Sequence, residues 1–224
     1  YGGPIGRIDN EVMNFYLEYI KLNYGESYDI FELNSKDPEI INSYNDLDFE
    51  LQNNFISPVI ELSDIESVWS SISKKRRNNI RKGLKSNIKI REAEYSDIKE
   101  IYQLYLVNMR RFGTPPLPLR FFKNFYKLFV NFNKGRITCG LIGDEIVNCL
   151  MGYTVNNRTE IFFSVSNPEY WSNKPNDVIY WEFITWSCKN GFNVFDFGRS
   201  SLDSGNYKFK TQLSSYHSNI NTFY

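Results

Sequence analysis

Apolar residues Val12, Phe15, Tyr16, Tyr19 and Ile20 recur at three- and four-residue spacing, which predicts an amphipathic helix over 10–23, ended by Gly25. Residues 28–33 alternate as a strand and 55–62 form a second, with a polar stretch rich in Asn and Asp between them. Ser63 and Glu66 have the spacing of a capping box at the head of a further helix. Residues 74–85 then read as a helix whose apolar positions are Ile80 and Leu84 alone. From Ile88 the pattern becomes regular. A strand over 88–93 leads to a helix from Ser96-Asp97, with Ile98, Ile101, Tyr102, Tyr105, Met109 and Phe112 on one face. Gly113-Thr114-Pro115-Pro116 breaks it, and a second helix runs from Leu119 with Phe122, Phe125, Phe129 and Phe132 inward. Strands over 136–142, 146–155 and 159–165 follow, joined by hairpin turns at Gly143-Asp144-Glu145 and Asn156-Asn157-Arg158. The helix over 177–190 is apolar nearly all round and is therefore expected to be buried. Gly191 ends it, and 194–198 returns as a strand. A strand-helix-strand return implies a parallel pair with a right-handed crossover. The order β-α-α-β-β-β-α-β predicts an α+β fold, a mixed α/β sheet with helices on its faces.

Composition narrows the function. Lys+Arg and Asp+Glu are both 26 in 224 residues, so attraction to nucleic acid or membrane must come from a local patch. Apolar residues at 42% and aromatics at 17% are enough for a real core. Apolar runs fall short of the ~20 residues that span a bilayer, and no signal peptide is visible, so a cytoplasmic location is expected. Cys139, Cys149 and Cys188 read as reduced core thiols. His217 is the sole histidine, which removes most His-based metal and triad chemistry, and no metal site is expected. The sequence opens at Tyr1 rather than Met, and further chain upstream is expected.

The segment from Phe195-Asp196-Phe197-Gly198-Arg199 to Gly205-Asn206-Tyr207-Lys208-Phe209-Lys210 carries the chemistry. Acyl transfer passes through a tetrahedral oxyanion that a positioned cation in a dry site stabilises. Lys210 is either that cation, screened by aromatic neighbours such as Phe209, or a lysine on a surface strand with Lys208. Arg199, just past a strand end, suits phosphate or carboxylate, or else pairs with Asp196 or Asp203. Asp196 is a buried hydrogen-bond acceptor or a base. Tyr207 is a proton donor to a leaving group or a packing phenol, and Trp181 lines a cleft or the core. Ser200 and Ser201 have no histidine partner, which argues against a covalent serine mechanism. Asp196-Phe197-Gly198 imitates a kinase signature without the catalytic loop that a kinase needs. The helix at 74–87 carries seven Lys or Arg up to Lys85 and no acid. Arg77, Arg81 and Lys82 could there hold phosphates of tRNA, of a nucleotide-linked sugar or of a lipid carrier, with peripheral membrane contact; the other reading is a solvated face.

In element order the chain resembles the GCN5-related N-acetyltransferase (GNAT) fold of acyl-CoA N-acyltransferases. In fine motifs it resembles the Fem-type peptidyltransferases, the FemAB-like branch active in peptidoglycan, cell-envelope and exopolysaccharide synthesis. Tyr1-Gly2-Gly3-Pro4 is similar to that branch's glycine-proline loop. Arg77-Asn78-Asn79-Ile80-Arg81-Lys82-Gly83 is similar to its basic helix, and Asp196-Phe197-Gly198-Arg199 to its last core strand. Gly205 to Lys210 resembles the tail in which a Phe-Lys pair meets the reacting carbonyl. The resemblance implies two GNAT-like halves: a remnant of the first over 1–62 and a complete domain over 63–224. It implies an acyltransferase moving an acyl or aminoacyl group onto an amine of an envelope or exopolysaccharide precursor, lipid-linked or nucleotide-linked. Attack would be direct, with Lys210 on the oxyanion and Arg199 orienting an anionic ligand. The donor is acyl-CoA or aminoacyl-tRNA; the glycine-spaced phosphate loop of ordinary acetyltransferases is missing between Val165 and Asp177. The rivals are an acyl-CoA-dependent N-acetyltransferase with an atypical phosphate loop, and a non-catalytic module that binds RNA or another polyanion.

Overall fold

The structure, a computed structural model, describes residues 10–27, 33–35, 51–202 and 204–223. The chain packs as two compact units. The smaller takes in residues up to Pro58, Arg199–Lys208 and His217 onward; the larger takes in Val59–Gly198 and Phe209–Tyr216. The glycine-proline loop at Tyr1-Gly2-Gly3-Pro4, Asp203 and most of the first expected strand lie outside the described residues.

In the smaller unit, helix α1 spans Asn10–Tyr24 and strand β1 spans Leu33–Ser35. Strand β2, Leu51–Glu61, begins four residues before the expected start and carries through into the larger unit. Its first part pairs antiparallel with the short β8, Ser200–Ser201, through Phe55↔Ser201 and Ile56↔Ser200. β1 pairs antiparallel with β9, Tyr216–Phe223, a strand that the sequence pattern did not reveal.

The larger unit holds the regular part. After α2 (Ile65–Ser71) and the basic helix α3 (Lys74–Leu84) come β3 (Lys89–Glu92), α4 (Ile98–Phe112) and α5 (Leu119–Phe125). β4 (Gly135–Ile142), β5 (Glu145–Val155), β6 (Arg158–Ser166), α6 (Pro175–Lys189) and β7 (Val194–Asp196) complete it. The sheet order here is β2-β7-β6-β5-β4-β3, antiparallel except for the parallel pair β6/β7 that the crossover through α6 requires. The β5-β6 hairpin turns on Asn156 and Asn157, both left-handed at φ 45° and 60°, a conformation asparagine tolerates.

The sheet is buried on both faces because β5 alternates. Leu150 points into a core with Ile80, Phe183, Phe195 and Phe197, under α3 and α6. Cys149 and Met151 point into the other, with Ile101, Tyr105, Phe122 and Phe125 of α4 and α5. Cys139, Cys149 and Cys188 are all free thiols.

Four local expectations are corrected. The α2 cap is Asp64, which accepts from the Ser67 N–H, rather than Ser63, since the helix begins at Ile65 and the residue before it holds the capping position. Phe112, Phe129 and Phe132 are exposed instead of inward: α4 turns off at the left-handed Gly113, and α5 gives way to a π-helical turn at Tyr126–Val130, which rotates Phe129 and Phe132 out of the stripe. Leu84 is exposed as well, and the inward face of α3 is made by Ile80 and Gly83. Finally, Gly205–Lys210 forms a short helix, α7, where a surface strand was one of the readings; the Ser204 hydroxyl caps it by accepting from the Tyr207 N–H at 3.0 Å.

Candidate active site

β6 and β7 run in parallel register for three pairs, Arg158↔Val194, Thr159↔Phe195 and Glu160↔Asp196. β7 then ends, while β6 continues to Ser166. Just past the last pair β6 carries an extra residue, Phe162, between Ile161, opposite Gly152, and Phe163, opposite Met151. A bulge at that point sharpens the local twist of β6, and the end of the β6/β7 pairing beside it leaves a notch in the ladder. Open parallel sheets bind ligands at such places, beyond the carboxyl ends of the strands.

The turn out of β7 is tightly specified. Asp196 is wholly buried; its Oδ1 accepts from the Gly198 N–H at 2.9 Å and its Oδ2 meets Arg158 Nη2 at 3.1 Å. The carboxylate thus fixes the turn and has a cationic partner, the buried-acceptor arrangement of the two read from sequence. Gly198 is left-handed at φ +73°, and a Cβ there would stand 2.4 Å from the Ile161 carbonyl oxygen. Lys210 Nζ donates to the Gly198 carbonyl at 3.1 Å. Its ammonium is therefore half-buried at the mouth of the notch, placed by a backbone that Asp196 holds. An ammonium carries three donors, so it can hold a carbonyl and still meet a developing oxyanion.

Phe209, the residue before it, packs between two partners. The Tyr180 ring lies 5.3 Å away, and the Arg76 guanidinium lies 4.4 Å above its face. Arg76 also pairs with Asp177 at 2.9 Å and donates from Nε to Gln212 Oε1 at 3.0 Å. One side chain thus ties α3, the head of α6 and the residues after Lys210 together. Burial pushes the Tyr180 phenol well up, offset in part by its hydrogen bond with Ser164, which stands on β6 beyond the last β7 pair. Tyr180 is therefore a neutral hydroxyl at the notch at any physiological pH.

Of the basic helix, Arg77 is half-buried and Arg81 and Lys82 are exposed. Arg81 lies 5.2 Å over the Trp69 ring, which packs at 4.8 Å on Trp181. Trp181 is accordingly half-buried on the edge of the core. The acid that the helix lacks is supplied from α6 by Asp177. The end of the loop into α6 lies against the C-terminal end of the same helix: Gly83 faces the Asn173 and Lys174 carbonyls, and Ser86, two residues past the helix, donates to the Asn173 carbonyl at 3.0 Å.

Lys210, Phe209, Asp196 and Trp181 thus share the larger unit with the basic helix. Arg199 and Tyr207 belong to the smaller one, where Arg199 is exposed and sits 4.2 Å over the Phe55 ring. Sequence reading missed Arg76, Asp177, Gln212 and Ser164. Arg76 had a signal, the 76/80/83 spacing with Ile80 and Gly83 that marks the inward stripe. Asp177 and Gln212 meet it from 101 and 136 positions away in the chain, and Ser164 depends on which strand face survives beyond β7.

Comparison with known proteins follows the same geometry. A family model described as an Acetyltransferase (GNAT) domain matches residues 74–211. No curated protein matches the sequence. Among solved structures, FemX superposes with a TM-score of 0.74 at 11% identity, over 96% of this chain and 77% of that one. The C-terminal domain of a putative lysylphosphatidylglycerol synthetase from Agrobacterium fabrum gives 0.71 at 8% identity, over 96% and 74%. L-PGS from Bacillus licheniformis gives 0.68 at 12% identity, over 96% and 73%. At these identities the likeness is one of fold.

Proposed function

Because the chain belongs to the GNAT acetyltransferase domain family, and is thereby an acyltransferase, we infer that it moves an aminoacyl or acyl group onto an amine of a cell-envelope or exopolysaccharide precursor. The observation that carries this reading is Lys210, whose Nζ stands 3.1 Å from the Gly198 carbonyl at the β6-β7 notch. In the proposed mechanism the acceptor amine attacks the donor carbonyl directly. The carbonyl oxygen gains negative charge, and the Lys210 ammonium stabilises it where Phe209 and Tyr180 exclude water. As the tetrahedral species collapses, the bond to the leaving group breaks, Tyr207 is proposed to protonate the departing atom, and the proton shed by the attacking amine restores the Tyr207 hydroxyl. Arg199 is proposed to orient an anionic part of a ligand, and Arg77, Arg81 and Lys82 to hold phosphates of the precursor or the donor.

Family membership points to acyl-CoA as the usual donor. Aminoacyl-tRNA is favoured here by two features. The segment 168–173, a 3-10 turn in place of a glycine-spaced loop, precedes α6, and Ser86, just past α3, holds its last carbonyl. The fold likeness extends to FemX and to the C-terminal domain of a putative lysylphosphatidylglycerol synthetase. The division into a first-half remnant over 1–62 and a complete domain over 63–224 is part of the same proposal.

The test is single-turnover transfer from acyl-CoA and from aminoacyl-tRNA to lipid-linked and nucleotide-linked precursors, in wild type and Lys210→Ala. Loss of one oxyanion donor is expected to lower the rate by about 10²–10³. Transfer from acyl-CoA alone would replace the donor assignment. Full activity in Lys210→Ala would sink the assignment of Lys210.

A further inference from the structure

Helix α6 begins beside the end of β6, where Asn176 donates to Ser166 Oγ at 3.2 Å. Its other end, with the start of β4, encloses a cavity of about 250 Å³. Trp186 and Phe192 wall it, their rings 5.6 Å apart, and Glu92, Asn133 and Asn190 reach it with Arg136. None of these residues takes part in the notch.

Arg136 is the unusual member. Its side chain is only 9% exposed, and its guanidinium rests 4.8 Å from the Trp186 ring and 5.5 Å from that of Phe183. Nε and Nη1 are fully buried and make no hydrogen bond among the described residues. The one ion-pair contact among the described residues, Glu92 Oε1 at 3.0 Å from Nε, comes from a side chain that is 64% exposed. Burial lowers the Arg136 pKa, with Glu92 and Glu182 acting in the opposite sense, yet a guanidinium stays charged near neutral pH. A largely desolvated cation whose carboxylate partner stands mostly in solvent is poorly compensated, and an anion reaching its remaining exposed edge from the cavity offsets that penalty. The aromatic walls select what kind of anion. A hydrated inorganic phosphate gains nothing from Trp186 and Phe192, whereas a carboxylate on an apolar body can offer planar oxygens to the guanidinium and a hydrophobic group to the rings. Glu92, largely in solvent, can swing aside.

We propose that this cavity is a binding site for a small organic carboxylate, its charged end at Arg136 and its apolar body against Trp186 and Phe192. It is a second site, independent of the acyl-transfer reading.

Sodium phenylacetate titrated into the full chain, followed by calorimetry and by the melting temperature, tests this; phenylacetamide serves as the uncharged isostere and inorganic phosphate as the bare anion. The expected result is one saturable phenylacetate site, at least tenfold stronger than either control, with a dose-dependent rise in melting temperature. Arg136→Met keeps the volume and removes the charge, an exchange that a buried ion pair tolerates; it should weaken phenylacetate at least tenfold while the variant still melts cooperatively. Asn190→Trp, at an exposed position on the rim, should block the cavity without touching the guanidinium. Phenylalanine binding more tightly than phenylacetate would also support the site and add Glu92 as the partner of its ammonium. Absence of phenylacetate binding, equal binding of the amide or of phosphate, or binding unchanged in both variants would overturn the proposal.

Discussion

Gly198 shows how far one residue can control the notch. Its left-handed backbone and the 2.4 Å that would separate a Cβ from the Ile161 carbonyl leave no room for a side chain. Gly198→Ala is expected to destabilise the protein by about 2–4 kcal/mol, the left-handed penalty plus a clash with backbone. Urea unfolding measures this. The same substitution should lower transfer activity beyond the stability loss, because the displaced carbonyl is the one that holds Lys210. At the other face, Asp97 accepts from both Arg91 Nη groups and from the Glu94 N–H. The Arg91 hydrogen bond, chiefly, holds its pKa below the usual 3.8. A depressed carboxylate pKa adds stability that is fully present above the unfolded value and is lost as pH falls through the folded one. Stability should therefore decline below about pH 3.8, and Asp97→Asn should flatten that decline in urea titrations at pH 5 and pH 2.5.

At the scale of elements, the docking of α3 on α6 decides what the basic helix can do. Close approach needs Gly83: a Cβ there would lie 2.3 Å from Val178 Cγ2 and 3.2 Å from the Asn173 and Lys174 carbonyls. Gly83→Ala is expected to cost about 1–3 kcal/mol by overpacking, read as a lowered urea midpoint. Arg76 fastens the same interface, its side chain 12% exposed and that of Asp177 6%. Arg76→Ala leaves a carboxylate buried without its partner, for an expected loss of about 3–5 kcal/mol. A double-mutant cycle with Asp177→Asn should recover more than about 1 kcal/mol of coupling. The sequence announced this helix clearly, and Arg81 and Lys82, read there as phosphate-holding residues, stand exposed on it. What it concealed was that one of seven cations belongs to the core. A run of like charge looks uniform until the partner helix supplies the opposing acid, and Asp177 lies 101 positions away from Arg76.

For the whole molecule, the charge balance of 26 against 26 means that any polyanion must be held by a patch. If Arg77, Arg81 and Lys82 bind phosphates, replacing all three by Ala should weaken a tRNA or nucleotide-linked ligand. It should also flatten the slope of log K against log salt by about 0.9 for each phosphate of a duplex segment that is no longer neutralised. Equal slopes in the two proteins would return this face to the role of a solvated surface. Among the described residues no helix is long and apolar enough to cross a membrane.

The sequence alone determined the order of elements from Ile88 to Gly198, the mixed sheet with helices on its faces, the parallel return through α6 and the family resemblance. These follow from periodicities of two and 3.6 and from turn residues, which act over a few neighbours. Tertiary structure decided the rest. Whether Gly205–Lys210 is helix or strand depended on the Ser204 cap and on Phe209 finding Tyr180 and Arg76. The position of Lys210 depended on a carbonyl twelve residues back, held by Asp196 and Arg158. The cavity at Arg136 exists because β4 and α6, separated by two strands and a loop, close over a charge that local pattern records only as the first polar residue of a strand. Local sequence sets which elements form; which of their polar groups meet is set by packing between segments far apart in the chain.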